Sequence, residues 1–221
     1  MLNCAVEIEE LDYLHQLFGT TPHLQYRLTV DTPFLNGDNQ LLTSGTRRAE
    51  ICYVMHRGDP QEAVLLHRKA FYPLNAYRLP TGGIHQGESV IETLVREIEE
   101  ETSFHLALPP APSTSGSPTG TAVVLQAFLG TLAYDLYHRS QGRVHTFATY
   151  HFLVAAPADA LPVSLDPEEQ IADWLWRSAE EMNSTAERLE TIGEVDPAWS
   201  DWGKFRALSH RFVAESMGRL S

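Results

Sequence analysis

Apolar residues recur along the chain with two different periods, and the switches between them outline its elements. Over residues 6–18, Leu11, Leu14, Leu17 and Phe18 fall at helical spacing and Gly19 supplies a stop, which predicts a helix. Residues 23–30 (HLQYRLTV) read as a strand, and 31–46, with Pro33, Gly37, Asp38, Asn39 and Gly45, as a loop. The runs 49–56 and 63–70 flank Gly58-Asp59-Pro60 and predict an antiparallel pair. The clearest helix covers 89–102. Two long strands are expected at 121–137 and 143–156. The second alternates, with Thr146, Ala148, Tyr150, Phe152 and Val154 on one face and His145, Phe147, Thr149 and His151 on the other. A short strand at Trp174–Arg177 and helices near 178–190 and 203–217 complete the chain, the last docking through Phe205, Leu208 and Phe212.

Strands and helices do not alternate regularly, so the class is α+β, layered αβα, rather than repeated βαβ units. Breaker residues set off 1–46 as an N-terminal extension, a capping or dimerisation element, from a main domain over 47–221. The stretch 109–120 (PPAPSTSGSPTG) is low-complexity and reads as a surface loop.

Composition narrows the function. With 16 basic and 29 acidic residues the net charge is −13, which argues against DNA, RNA or anionic membrane as partners. It leaves room for an anionic small molecule, because bound cations invert the local field. Cys4 and Cys52 are too few for a disulfide framework. The N-terminus lacks the basic flank and apolar run of a signal peptide, and no stretch reaches the roughly 18 apolar residues of a membrane span, so a cytoplasmic protein is expected. The ten histidines show no zinc spacing, and His85, His145 and His151 read as packing or surface residues. Trp174, Trp176, Trp199 and Trp202 are candidates to stack on a nucleobase, with Trp174 or Trp176 read more readily as core.

The chemistry concentrates in residues 82–104, GGIHQGESVIETLVREIEEETSF. Val90, Ile91, Leu94, Val95 and Ile98 form an apolar stripe on a helix. Glu97, Glu100 and Glu101, three and four residues apart, project from one edge of it. Like charges at that spacing are unfavourable by a few tenths of a kcal/mol per pair. A hard cation that prefers oxygen ligands, such as magnesium, removes the conflict. Arg96 lies within reach of neighbouring acids, and the turn Thr81-Gly82-Gly83 lets backbone approach a ligand closely.

In full, this stretch resembles the signature box of the Nudix hydrolase family: Gly82, Glu88, Arg96, Glu97, Ile98, Glu100, Glu101 and Phe104 stand at the box positions. The six polar or glycine matches would arise by chance in a chain this long about once in 10⁵. One position departs, Ser103 standing where the family has a glycine that supplies a left-handed exit from the helix.

The resemblance implies a Nudix fold, a mixed sheet between helices. It implies hydrolysis of a phosphoanhydride bond in a nucleoside diphosphate linked to another group, by attack of water on phosphorus with magnesium, or manganese, as cofactor. Candidate substrates are nucleotide sugars, ADP-ribose, dinucleoside polyphosphates and nucleoside triphosphates. Carried over by position, Glu97, Glu100, Glu101 and the Gly82 carbonyl would hold the metal, and Arg96 and Glu88 would orient the glutamates. The general base would be a box glutamate or an acid on a later loop, where Glu168 and Glu169 stand. Arg57, Arg68, Lys69 and Arg78 are basic residues near the box that suit phosphate oxygens, Arg78 first among them for its place before the glycine turn. Two other readings stay open: a non-catalytic Nudix-fold nucleotide sensor or scaffold, and a Nudix-fold isomerase with Cys52 near its site. A homodimer through the N-terminal extension is a further expectation.

Overall fold

A computed structural model describes residues 5–31, 46–59, 63–108 and 122–219. Cys4, the predicted loop beyond residue 31, Pro60 of the predicted turn and the low-complexity stretch lie outside the described residues.

The elements run α1 (Ile8–Phe18), β1 (His23–Val30), β2 (Thr46–Arg57), β3 (Val64–Lys69), β4 (Thr81–His85), α2 (Val90–Thr102), β5 (His105–Ala107), β6 (Ala122–His138), β7 (Arg143–Ala156) and β8 (Ile171–Arg177), then α3 (Glu181–Glu190), α4 (Ile192–Val195) and α5 (Ser200–Gly218). Short 3₁₀ turns at Pro167–Glu169 and Pro197–Trp199 precede β8 and α5. The strands form one sheet in the order β1-β6-β7-β2-β3-β8, with β4 also paired to β2 and β5 to β6. The β1–β6, β2–β7 and β5–β6 pairs are parallel and the others antiparallel.

Strand alternation gives the sheet two apolar faces. From β2, Ala49, Ile51, Tyr53 and Met55 join β7's Ala148, Tyr150, Phe152 and Val154 under α1 and α2. Cys52 and Val54 point the other way, with Phe147 and Leu153, beneath Phe205, Phe212, Val213 and Met217 of α5. The layering is αβα, as the pattern predicts. Trp199 and Trp202 fill a satellite cluster with Tyr72 and Leu189, while Trp174 and Trp176 pack half-buried against the α2-side core.

The N-terminal segment is built into this sheet. Strand β1 pairs with β6 along eight residues, His23↔Thr131 to Val30↔His138. Helix α1 buries Leu11 and Leu14, leaves Leu17 half exposed, and its Glu10 carboxylate accepts the Val90 N–H at 2.6 Å. No helix among the described residues is long and apolar enough to cross a membrane.

Candidate active site

Helix α2 carries the site, and its start is fixed by its own sequence. Ser89 Oγ accepts the Glu92 N–H while the Glu92 carboxylate accepts the Ser89 N–H, a reciprocal cap. Val90, Leu94 and Ile98 are buried in the core, whereas Ile91 and Val95 turn aside and stay half-buried, so the expected stripe is split. At the far end Ser103 adopts φ 62° and ψ 14°, the left-handed exit that a glycine would supply, and its N–H reaches Glu99 O at 2.9 Å. The serine therefore keeps the turn at a conformational cost.

The three clustered glutamates divide into two inward and one outward. Glu97 and Glu101, one helical turn apart, are 5% and 0% exposed. Glu100 stands at the surface edge with Arg96. Arg96 ties the group together: its guanidinium donates to both oxygens of Glu88 at 2.8 and 2.9 Å, to Glu97 at 2.7 Å, to Glu100 at 3.0 Å and to the Gly83 carbonyl at 3.0 Å. Glu88 also accepts from Thr93 Oγ1 and the His85 N–H. The hydrogen bonds from Arg96 hold the Glu88 carboxyl down at about 2.

Gly82 is a glycine for a steric reason. A Cβ there would lie 1.8 Å from Glu97 Cδ, so the carboxylate occupies the space any other residue would fill. Behind it Glu101 accepts a 2.5 Å hydrogen bond from Tyr53 OH on Oε2, while Oε1 has no hydrogen-bond partner among the described residues. His67 Nδ1 lies 3.8 Å from that oxygen, and burial, with the nearby Arg78 charge, keeps the imidazole neutral. Burial raises Glu97 to about 7, and burial together with the neighbouring Glu97 charge raises Glu101 to about 8.

From the turn before β8, Glu169 reaches the same centre, where its charge acts on both Glu97 and Glu101, and it pairs with Lys69 Nζ at 2.5 Å. Glu168, its neighbour, points to solvent. The structure thus separates two acids that the sequence presents as equals.

The three arginines expected to contact substrate do not join the carboxylates. Arg57 lies over the Trp176 ring at 4.4 Å and Arg68 over Tyr77 at 6.0 Å. Arg78 is buried, donating to Tyr72 OH at 3.0 Å and to Leu79 O and Thr81 Oγ1 at 2.8 Å each. Besides Arg96, which holds Glu97, the charge of Lys69 acts on the inner carboxylate Glu101. Sequence reading left Tyr53 and His67 out of the site; alternation puts Leu65, His67 and Lys69 on one face of β3, and that alternation is the signal for them.

The donor set suits a hard divalent cation. It offers carboxylate oxygens, one lacking any partner, on a rigid helix against a glycine that leaves room. Among the described residues no three acidic, imidazole or thiol groups already converge as a cage. Magnesium is commonly held by one or two carboxylates, with waters and substrate phosphates completing the shell, so a ready cage is not required. Cys52 is fully buried on the α5 face, across the sheet from the carboxylates, and burial pushes its thiol up, which removes the support for an isomerase using it.

A mixed sheet between helices, one of which presents buried glutamates against a glycine turn, defines the class of the protein. The NUDIX domain model matches residues 45–197, and the chain belongs to that family. A comparison with curated proteins returned no match. Among solved structures it is similar to the E. coli dihydroneopterin triphosphate pyrophosphohydrolase (16% identity, 76% of this chain and 97% of that one, TM-score 0.46). It is also similar to a C. elegans Ap4A hydrolase (18%, 71% and 96%, TM-score 0.43) and a MutT protein from Methanosarcina mazei (17%, 76% and 93%, TM-score 0.41). What those proteins act on is a property of those proteins.

Proposed function

We propose that this protein is a magnesium-dependent pyrophosphohydrolase, manganese serving as a substitute, that cleaves a phosphoanhydride bond in a nucleoside diphosphate linked to a further group. The observation that carries the reading is the pair Glu97 and Glu101. Two carboxylates are buried side by side, and one oxygen of Glu101 is left without a partner. Arg96 pairs with Glu97, whereas Glu101 has no ion pair with an arginine or lysine among the described residues; a buried carboxylate short of counter-charge is unfavourable, and a bound cation would relieve it.

In this reading Glu97, Glu101 and the Gly82 carbonyl hold the ion, with Glu100 at its outer side. Arg96 and Glu88 keep the glutamates in place, and Tyr53 fixes the orientation of Glu101. A bound divalent ion supplies charge neutralisation on the diphosphate and a lowered pKa for water. Glu169 is the better placed of the two loop acids to take the proton from the attacking water; Lys69 holds its carboxylate in position. The water oxygen bonds to phosphorus, the bridging P–O bond breaks, and the released phosphate leaves with the electron pair.

The test is turnover of nucleoside diphosphate derivatives with magnesium, followed by released phosphate or phosphomonoester, with Glu97→Gln and Glu100→Gln alongside. Magnesium-dependent release lost in Glu97→Gln supports the reading. Ligand binding without turnover across a broad panel would replace it with a nucleotide sensor.

A further inference from the structure

On its outward side α2 borders a groove of about 590 Å³. Small-molecule sites commonly measure about 300–1,000 Å³. Ile91 and Val95 form its floor, and Leu108 after β5 and Leu165 before the 3₁₀ turn form its walls. Leu108 and Leu165 are 41% and 60% exposed, so four aliphatic side chains from three segments meet without being buried by any of the described residues.

The walls are held by backbone. Leu165 N–H donates to the Glu100 carbonyl at 2.8 Å and Val163 N–H to the Thr102 carbonyl at 3.1 Å, pinning this segment to the end of α2. Four residues beyond Leu165 the same segment delivers Glu169 to Lys69. The inner end of the groove is formed by Arg96 and Glu100, which border the metal-binding carboxylates. Groove and reaction centre therefore share two walls, α2 and the 165–169 segment.

Charge decides what enters. Glu92, Glu99 and Glu100 line the groove against the one guanidinium of Arg96, and that guanidinium is already engaged by Glu88, Glu97 and Glu100. A phosphate or carboxylate in the groove would face three carboxylates, with no free counter-charge among the described lining residues. An apolar group would instead cover the exposed aliphatics.

We propose that the groove is the subsite for the group the diphosphate carries, and that it takes an uncharged group with an apolar face and rejects an anionic one. The proposal rests on the hydrolase reading above and deepens it by naming the substrate class. It predicts poor use of substrates whose distal group is a sugar acid or a further phosphate.

The test uses two non-hydrolysable probes with magnesium, hexyl methylenediphosphonate and its 5-carboxypentyl counterpart, which differ only in a terminal carboxylate. Calorimetry on the wild-type chain should give a Kd at least about tenfold lower for the hexyl probe, equivalent to about 1.4 kcal/mol. Leu165→Asn, at an exposed position, and Val95→Asn should each weaken binding of the hexyl probe, narrowing that gap, and leave binding of methyl methylenediphosphonate unchanged. Equal Kd values for the two probes on the wild-type chain, no binding of either, or a gap of undiminished size in both variants would overturn the proposal. So would light scattering that shows Leu165→Asn splitting a dimer while the gap keeps its size, since the groove would then be an interface between copies. A gap that holds while every hydrolysis assay fails keeps the subsite and discards the hydrolase reading.

Discussion

Strand β2 serves two buried carboxylates on opposite faces of the sheet, and they are supported in opposite ways. Glu50, 1% exposed, projects toward α5, where Arg206 Nη1 meets it at 2.6 Å and Thr149 Oγ1 donates to it at 3.0 Å. Three residues on, Tyr53 faces α2 and donates its hydroxyl to Glu101, which among the described residues has no arginine or lysine in hydrogen-bond contact. Each carboxylate leaves one oxygen without a hydrogen bond, so hydrogen-bond counting does not distinguish them. Counter-charge does. On the α5 face an arginine pairs directly with Glu50; on the α2 face Arg96 pairs with Glu97 but no arginine or lysine pairs directly with Glu101 among the described residues, and in the proposed function a bound cation would supply that charge.

The comparison breaks most visibly at Arg206. Arg206→Met should cost about 3–5 kcal/mol, because it strands Glu50 in the interior. The double change Glu50→Gln with Arg206→Met should recover at least half of that in denaturant unfolding. A single-variant loss below about 1 kcal/mol would show that the pair is not buried as described.

Glu101→Gln should act with the opposite sign. Glu97 and Glu101 have folded pKa values raised to about 7 and 8 from the ordinary 4.5, so the folded metal-free chain binds protons more tightly than the unfolded one. The stability they confer is full below pH 4.5 and is lost as pH rises through 7 and 8. The metal-free protein should thus melt at falling temperature between about pH 5 and 8. Each kcal/mol is worth roughly 2–4 °C in a chain of this size. Magnesium should reverse the trend, because binding needs the deprotonated carboxylates and stabilises by mass action. Glu101→Gln should flatten the pH dependence, raise the metal-free melting temperature at pH 8 by several degrees and abolish the magnesium response. A metal-free protein that gains stability from pH 5 to 8 would contradict the uncompensated site.

Gly82→Ala sharpens the same contrast without changing any charge. The added methyl meets Glu97 at 1.8 Å and must displace it. A fall of about 1–3 kcal/mol is expected from the overlap, together with loss of the magnesium-induced melting shift. A magnesium shift retained at full size would mean that Glu97 does not need this space.

Much of this was readable from residues, and the failures have a common form. The two faces of β7 follow from local periodicity and are found as read, and on α2 the periodicity gives Val90, Leu94 and Ile98 of the core edge but not the half-buried Ile91 and Val95. Arg78, expected at phosphate from its place before the glycine turn, is buried under Tyr72 and beside Thr81 in the structure, a placement its local sequence does not announce. Which face of so short a segment is covered depends on elements distant in sequence, such as α5, whose His210 accepts the Leu79 N–H at 3.3 Å. Lys69 and His67 are the converse, since alternation groups them but only the placement of α2 says that their face is the reactive one. Where the N-terminal extension docks is not legible locally, because the partner of β1 lies a hundred residues away. The 17-residue β6 pairs with β5 only over Ala122–Val124, and β1 covers Thr131–His138. Parallel pairing at that distance leaves no local trace.

The smallest expected effect lies at the end of α2, where the box departs from its family pattern. Ser103 holds φ 62° with its hydroxyl donating to the Thr102 carbonyl at 2.6 Å, so the helix exit is native in shape but adopted by a residue that disfavours it. Ser103→Gly should relieve that strain and add about 0.5–1 kcal/mol, less the extra entropy a glycine brings to the unfolded chain. Because Ser103 contacts none of the site carboxylates in the hydrogen bonds described, magnesium response and pH dependence should stay as in the parent. A stabilised variant with an altered magnesium response would instead show that the exit turn sets the position of Glu100 and Glu101, and would tie the α2 side's local strain to its missing charge.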